Sequence, residues 1–256
     1  MLMLVRYVLE GRVARLTLDS PHNHNALSTT LVEQLHRGFE DAVAAGVRAV
    51  VLGHTGRTFC AGADLSEAST GATSGPADIA VGRGREMTRL LRTILESPVA
   101  VIAAVDGHVR AGGMGLIGAC DIAVAGPQST FALTEARIGV APSIISLTLL
   151  PKLTARAAGR YFLTGEKFGP QEAAAIGLIT VAADDVEATV AAFTADIAKA
   201  SPQGLSVSKA LTTAAILAGF DAHADALTTQ SAELFTSAEA REGMLAFLQK
   251  RSPDWA

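Results

Sequence analysis

The sequence lacks the features that mark nucleic-acid-binding, membrane and disulfide-bonded proteins. Its 256 residues carry a net charge of −4 and no run of lysine or arginine, which argues against nucleic acid or an anionic membrane as the main partner. The longest apolar run, residues 99–105, is far shorter than the roughly 20 residues that span a bilayer. We therefore expect a soluble protein. Two cysteines, Cys60 and Cys120, cannot form a disulfide framework, so we expect the reducing cytoplasm as its compartment.

Signals for secretion and for metal binding are also missing. The opening residues, MLMLVRYVLEGR, have no basic region or small-residue cleavage site, and Arg6 interrupts the apolar run, so no signal peptide is expected. The histidines His22, His24, His54 and His108 show no metal-site spacing. We therefore predict no metal and assign these histidines to polar loops.

What the sequence contains is the alternation of strands and amphipathic helices typical of an α/β fold. The segments VRYVLE and VARLTL flank Gly11 and predict a hairpin. A helix follows, with a capping box of Thr30 and Glu33 at its start and Gly46 at its end. The strand VRAVVL comes next, which completes a βαβ unit. Further strands are predicted at VAVIAAV and IAVA. The Ser/Gly/Ala-rich residues 66–78 predict a mobile loop.

The chain becomes wholly helical after residue 200. Three helices are predicted there, at GLSVSKALTTAAILAGF, ADALTTQSAELF and AEAREGMLAFLQKR. We therefore divide the chain into an α/β core, residues 1–200, and a C-terminal helical region, residues 201–256. The helical region carries more apolar residues than a thin outer layer needs, so part of it is expected to form an interface. These residues are Leu211, Ile216, Leu217, Leu227, Leu234 and Leu245.

Two glycine-rich turns follow predicted strands and expose backbone. TFCAGADL includes Gly62 and Ala63, and RAGGMG includes Gly112 at the opening of a short helix. Small side chains leave the N–H groups of such turns uncovered, and a helix N-terminus adds a favourable dipole. If the N–H groups of Ala63 and Gly112 converge, they form an oxyanion hole.

Six segments in register resemble the enoyl-CoA hydratase/isomerase (crotonase) superfamily. They are NHNAL, FCAGADL, DGHVRAGGMGLIGACDIAVA, FALTEARIGVAP, LTGEKFGPQEAAAIGLI and EGMLAFLQKR. The resemblance implies a crotonase-like spiral of βαβ units with a C-terminal helical trimerisation region, assembled as a homotrimer or a dimer of trimers. It implies an acyl-CoA thioester substrate and no separate cofactor, because coenzyme A is part of the substrate.

The same resemblance assigns site residues. Ala63 and Gly112 would hold the thioester oxygen, and Glu135 would be the catalytic acid and base. Substrate-binding residues would be Ala61, Gly62, Asp64, Leu65, Arg110, Gly113, Gly115 and Lys250, with Lys250 reaching the CoA phosphates. The apolar neighbours of Glu135 predict a partly buried carboxyl with a raised pKa.

The chain departs from the family pattern at two positions. Gly115 stands where two-glutamate hydratases carry their second glutamate, and Ser66 stands where many relatives have a lysine. The first departure favours double-bond isomerisation by one base. The local pattern from Gly112 onward is instead similar to a bacterial methylglutaconyl-CoA hydratase branch of leucine degradation. We therefore expect an enoyl-CoA hydratase, with a Δ3-Δ2 isomerase and a non-catalytic acyl-CoA-binding protein as alternatives.

Three other residue patterns have a structural and a functional interpretation. GMGLIG formally matches the dinucleotide fingerprint G-x-G-x-x-G, but close helix packing explains its glycines better. Cys60 is interpreted as a small buried residue, because no base is spaced to activate it. Arg110 is either a solvated loop arginine or the partner of a second carboxylate on a dicarboxylic acyl chain.

Overall fold

The computed structural model describes residues 2–64, 67 and 76–256, and it contains a large, mostly parallel sheet. Strands β1 (Val5–Glu10) and β2 (Val13–Leu18) form the predicted antiparallel hairpin. The parallel strands are β3 (Ala49–His54), β5 (Ala100–Val105), β7 (Ile122–Ala125) and β9 (Val181–Ala182), in the order β1-β2-β3-β5-β7-β9. The hairpin, the first βαβ unit and the three apolar strands are confirmed.

A second, smaller sheet is built from three short parallel strands in the order β4-β6-β8. They are β4 (Thr58–Cys60), β6 (His108–Arg110) and β8 (Thr130–Ala132). Each follows a strand of the large sheet along the chain, so successive units place one strand in each sheet. This alternation produces the expected spiral of repeating units.

The helices pack against these sheets and against one another. They are α1 (Thr29–Ala44), α2 (Pro76–Glu96), α3 (Gly112–Ala119), α4 (Ser146–Leu149), α5 (Ala155–Thr164), α6 (Pro170–Ala175), α7 (Val186–Ile197), α8 (Pro202–Thr236) and α9 (Ala238–Leu248). Short 3₁₀ turns lie at Pro21–Asn23 and Glu135–Ile138. The α2 helix already begins at Pro76, so the end of the loop predicted over residues 66–78 is wrong; residues 65, 66 and 68–75 lie outside the described part of the chain.

The predicted capping box of α1 is also wrong. The N-cap is Ser28, whose hydroxyl accepts a hydrogen bond from the Leu31 N–H at 3.3 Å. Ser28 is held extended because Leu27 pairs with Ala63 in an isolated parallel bridge. The helix therefore starts before Thr30, a shift that a long-range contact imposes. Gly46, with φ of 66°, follows the helix end as expected.

One continuous helix replaces the first two helices predicted after residue 200. The 35-residue α8 lies along α2, and its Ile216 and Phe220 join the core cluster of the α/β region. Lys209 adds a buried ion pair with Asp121 at 2.8 Å. This packing stabilises the helical conformation across residues 221–223, which separate the two predicted helices.

The apolar residues expected at an interface divide between the core and the surface. Ile216 is buried, whereas Leu211 is 76% exposed and Leu245 is 44% exposed. Leu217, Leu227 and Leu234 are half-buried. Assembly through this region remains a prediction.

The structure also bears on membrane insertion. Each helix within the described residues is too short or too polar to span a bilayer.

Candidate active site

The residues predicted to act on the substrate follow the carboxyl ends of the three strands of the small sheet. The register pairs Cys60 with Val109 and Arg110 with Ala132. Ala63, Gly112 and Glu135 come two or three residues after β4, β6 and β8, respectively. Since the strands are parallel, all three groups leave the sheet at the same edge, where ligands of α/β proteins usually bind.

The two glycine-rich turns touch each other. Gly62 has φ of 95°, and a Cβ atom on it would lie 2.7 Å from the Cβ of Ala111 and 3.4 Å from the backbone nitrogen of Gly112. Ala111 itself has φ of 46° and ψ of −120°, a conformation that costs energy for a residue with a side chain. The close contact between the two turns therefore requires glycine at position 62 and a strained backbone at position 111.

Both turns present an unused backbone donor. The Leu27 N–H donates to the Gly62 carbonyl at 2.7 Å and the Asp64 N–H donates to the Leu27 carbonyl at 3.3 Å, which leaves the Ala63 N–H on the other side of the chain. Gly112 is the first residue of α3. Within the described residues, neither the Ala63 nor the Gly112 N–H has an acceptor. Two free donors on touching turns can stabilise a developing negative charge on oxygen.

Glu135 supplies an ionisable group at this edge. It starts the 3₁₀ turn and is only 6% exposed, and its Oε2 atom has no hydrogen-bond partner among the described residues. Burial raises the pKa of Glu135 from 4.5 to about 7, against a smaller lowering by its own backbone N–H. A carboxyl with this pKa can both take and give a proton near neutral pH.

The position of Gly115 is closed by apolar side chains. A Cβ atom there would lie 2.5 Å from the Cγ2 of Ile145 and 3.2 Å from the Cε of Met87. A second carboxylate cannot enter this space without displacing Ile145, which is 5% exposed. The space beside Gly115 therefore adds no second carboxyl to the buried one of Glu135.

A family model described as enoyl-CoA hydratase/isomerase matches residues 9–256. The chain belongs to this enzyme family. The predicted superfamily is confirmed, while the methylglutaconyl-CoA hydratase branch remains a prediction.

Solved structures and curated proteins agree with this assignment. An enoyl-CoA hydratase from Mycobacterium avium is 62% identical with a TM-score of 0.93 and covers 100% of both chains. A protein from Mycobacterium avium paratuberculosis K-10, provisionally named an enoyl-CoA hydratase, is 64% identical with a TM-score of 0.94 and covers 99% of this chain and 100% of that one. A relative from Thermus thermophilus, also provisionally named an enoyl-CoA hydratase, is 32% identical over 96% of this chain and 98% of its own.

The turn that carries Glu135 has a C-terminal support that the sequence pattern did not predict. The α9 helix packs against the turn that starts at Glu135: a Cβ on Gly139 would lie 2.6 Å from the Glu239 backbone, and one on Gly243 would lie 2.5 Å from Ile138. Arg137 adds a hydrogen bond to the Thr164 carbonyl at 2.9 Å. A glycine inside an otherwise regular helical pattern, Gly243, was the available signal.

The guanidinium of Arg110 is hydrogen-bonded within the small sheet, away from the edge that carries Glu135. Its guanidinium donates to the carbonyls of Val109 and Thr130 at 2.7 and 2.6 Å, and to the Thr130 hydroxyl at 2.9 Å. Thr130 starts β8, whereas Glu135 follows the end of that strand. The interpretation as a solvated loop arginine is therefore wrong, and the contact with a substrate carboxylate stays a prediction.

The other predicted substrate-binding residues differ in what surrounds them. Gly113 packs on β4, since a Cβ there would lie 2.8 Å from the Cβ of Cys60. The Ala61 N–H donates to the His24 carbonyl at 3.1 Å, and Asp64 accepts from the Asn23 amide at 3.0 Å. Lys250 is exposed just after α9, and Leu65 lies outside the described residues.

Cysteine and metal chemistry gain no support from the geometry. Cys60 is fully buried, and burial raises the pKa of its thiol to about 12, so it remains protonated at neutral pH. The part of the chain that the structure describes contains no cluster of three or more His, Cys, Asp or Glu residues that could hold a metal ion.

Proposed function

We propose that this chain is an enoyl-CoA hydratase that adds water to a 2-enoyl-CoA thioester through an enolate. The observation that carries the proposal is the buried carboxyl of Glu135, with a pKa of about 7, at the same sheet edge as two N–H groups; within the described residues, its Oε2 atom and both N–H groups lack a hydrogen-bond partner. The names of the relatives support the choice of hydration. A short branched acyl group, such as 3-methylglutaconyl, is the substrate class that the local sequence pattern favours.

The reaction needs one proton acceptor and one site for negative charge. The Glu135 carboxylate takes a proton from water as the water oxygen forms a bond to C3, and the C2–C3 π electrons move to the thioester oxygen. The Ala63 and Gly112 N–H groups hold that oxygen, each donor contributing about 3 kcal/mol by the usual magnitude of such sites. Glu135 then returns its proton to C2, so the carboxylate is restored and one water has been added.

The pKa of Glu135 suits a group that performs both proton transfers. With a pKa of about 7, both the carboxylate and the acid are populated near neutral pH. A much lower pKa would make the carboxylate a poor base toward water, and a much higher one would leave it protonated. Burial is the largest cause of this raised pKa, so the apolar surroundings of Glu135 set the proton affinity that both steps need.

Double-bond isomerisation is the second candidate, favoured by the closed space at Gly115. The three atoms nearest to a Cβ at that position belong to Ile145 and Met87 and are all carbon, so none of them can orient a water molecule. In this reaction Glu135 removes a proton from C2 of a 3-enoyl thioester and returns it to C4, while the same N–H groups hold the enolate oxygen. No water is consumed.

A substrate panel separates these functions. Purified protein is given crotonyl-CoA, 3-methylglutaconyl-CoA and a 3-enoyl-CoA, and the absorbance of the enoyl-thioester band is followed. Loss of absorbance with either 2-enoyl thioester supports hydration; a gain with the 3-enoyl thioester and no loss with the others supports isomerisation. Binding of all three without conversion would instead identify a non-catalytic acyl-CoA-binding protein.

A further inference from the structure

The side chain of Met87 lies beside the first turn of α3, which carries one of the two N–H groups proposed to hold the acyl oxygen. Its Cε is 3.6 Å from where a Cβ on Gly112 would lie and 3.2 Å from where a Cβ on Gly115 would lie. Gly112 carries one of the two free N–H donors. An acyl group whose carbonyl oxygen accepts from that donor places its first carbon atoms within reach of Met87.

Met87 differs from Ile145, the other side chain at Gly115, in its exposure. Ile145 is 5% exposed and belongs to the core cluster, whereas Met87 is half-buried and packs at the edge of that cluster. Part of the thioether side chain is therefore free to contact a ligand. Methionine is unbranched and adapts its shape to neighbouring groups.

The backbone of α2 on either side of Met87 is held by contacts with α8. A Cβ on Gly84 would lie 2.9 Å from the Cγ2 of Thr228, and the Thr88 hydroxyl lies 3.2 Å from the Thr228 hydroxyl. Position 87 falls between these two contacts. These two contacts therefore hold the Cα of Met87 in place.

We propose that Met87 is a specificity-determining residue that limits the size of the acyl group accepted beside the two N–H donors. The inference rests on the proposed function in one respect, that the ligand is an acyl-CoA thioester. It assigns to Met87 a selective contact with the acyl group and no part in the proton transfers.

The test measures binding of saturated thioesters, which cannot be hydrated or isomerised. Calorimetry gives Kd for acetyl-CoA, butanoyl-CoA, octanoyl-CoA and free coenzyme A with the wild type, Met87→Ala and Met87→Phe. We expect the octanoyl-to-acetyl Kd ratio to fall about tenfold in Met87→Ala and to rise about tenfold in Met87→Phe, as expected for the gain or loss of a few apolar contacts. Free coenzyme A should bind all three proteins equally.

A matched control removes the effect of a loosened helix. Leu95→Ala truncates a side chain on the same helix that is 2% exposed and belongs to the same core cluster. A ratio that moves as much in Leu95→Ala as in Met87→Ala, or that stays within about twofold of wild type in both Met87 variants, overturns the proposal. A wild type that binds the thioesters but converts no enoyl thioester refutes the proposed function alone, and one that binds none refutes both.

Discussion

Ile145 occupies the space into which any side chain at position 115 would extend. A Cβ on Gly115 would lie 2.5 Å from the Cγ2 of Ile145 and 3.0 Å from its Cβ. Gly115→Ala should therefore lower the free energy of unfolding by about 1–3 kcal/mol, as overpacked cores do. In a double-mutant cycle with Ile145→Ala, the pair should cost less than the sum of the two single changes; additive costs would mean that the two positions are not in contact.

This contact changes the interpretation of a Gly115→Glu variant. From the sequence, we expect a second carboxylate to crowd a bound water in a hydratase or to create hydration activity in an isomerase. The structure predicts a loss of activity in either enzyme, because the new side chain displaces Ile145. The substrate panel, rather than this variant, must distinguish the two reactions.

Glu135→Gln should abolish turnover while binding of a CoA thioester stays within about twofold of wild type. The amide keeps the shape of the side chain but cannot accept the proton. Glu187→Gln is the control, because Glu187 is a surface residue paired with Arg15 at 2.8 Å. A Glu135→Gln enzyme that keeps more than about a tenth of the wild-type kcat, a barrier change under roughly 1.4 kcal/mol, would remove Glu135 from the mechanism.

The pKa of Glu135 predicts opposite effects of pH on activity and stability. As the base, Glu135 must be ionised, so kcat/KM should fall as pH drops below about 7. Because burial raises the pKa from 4.5, the folded state prefers the protonated form, and its contribution to stability is lost as pH rises from 4.5 through 7. The loss is roughly 3 kcal/mol at about 1.4 kcal/mol per pH unit.

Urea unfolding of the wild type and Glu135→Gln at pH 5 and pH 8 measures the stability term. The Gln variant has no charge to bury, so it should gain stability relative to the wild type at the higher pH. Equal differences at the two pH values would show that Glu135 has an ordinary pKa in the folded protein.

Gly62→Ala should lower kcat about 100-fold, the usual cost of losing one donor of this kind. The new Cβ would lie 2.7 Å from the Cβ of Ala111, so the two turns must separate. Gly11→Ala is a matched control: Gly11 also has a positive φ, of 61°, but a Cβ there has no neighbour within 4 Å. If both variants retain kcat, contact between the turns does not position the donors.

The exposed leucines of the C-terminal region predict a contact between copies of the chain, and the family resemblance implies a trimer or a dimer of trimers. Leu211 on α8 and Leu245 on α9 leave apolar surface in contact with solvent in the single chain. Light scattering at micromolar concentration should give at least three times the mass of one chain, and Leu211→Asp should reduce it if this surface is buried between copies. A monomeric wild type would contradict the prediction.

The elements whose signal is local can be predicted from the residues of each segment alone. Alternating apolar residues predicted the hairpin and the buried strands, and glycine-rich turns after strands predicted where backbone donors would be. The apolar surroundings of Glu135 also predicted its raised pKa, since burial of a carboxyl disfavours its charge. These features depend on residues that are neighbours in the chain.

Contacts between distant segments become visible only in the folded chain. The bridge from Leu27 to Ala63 places the N-cap of α1 at Ser28, and packing on α2 joins two predicted helices into α8. Met87 and Ile145 close the space at Gly115 from two other segments. No periodicity reports such contacts, because packing in a dense core depends on which side chains meet after the chain has folded.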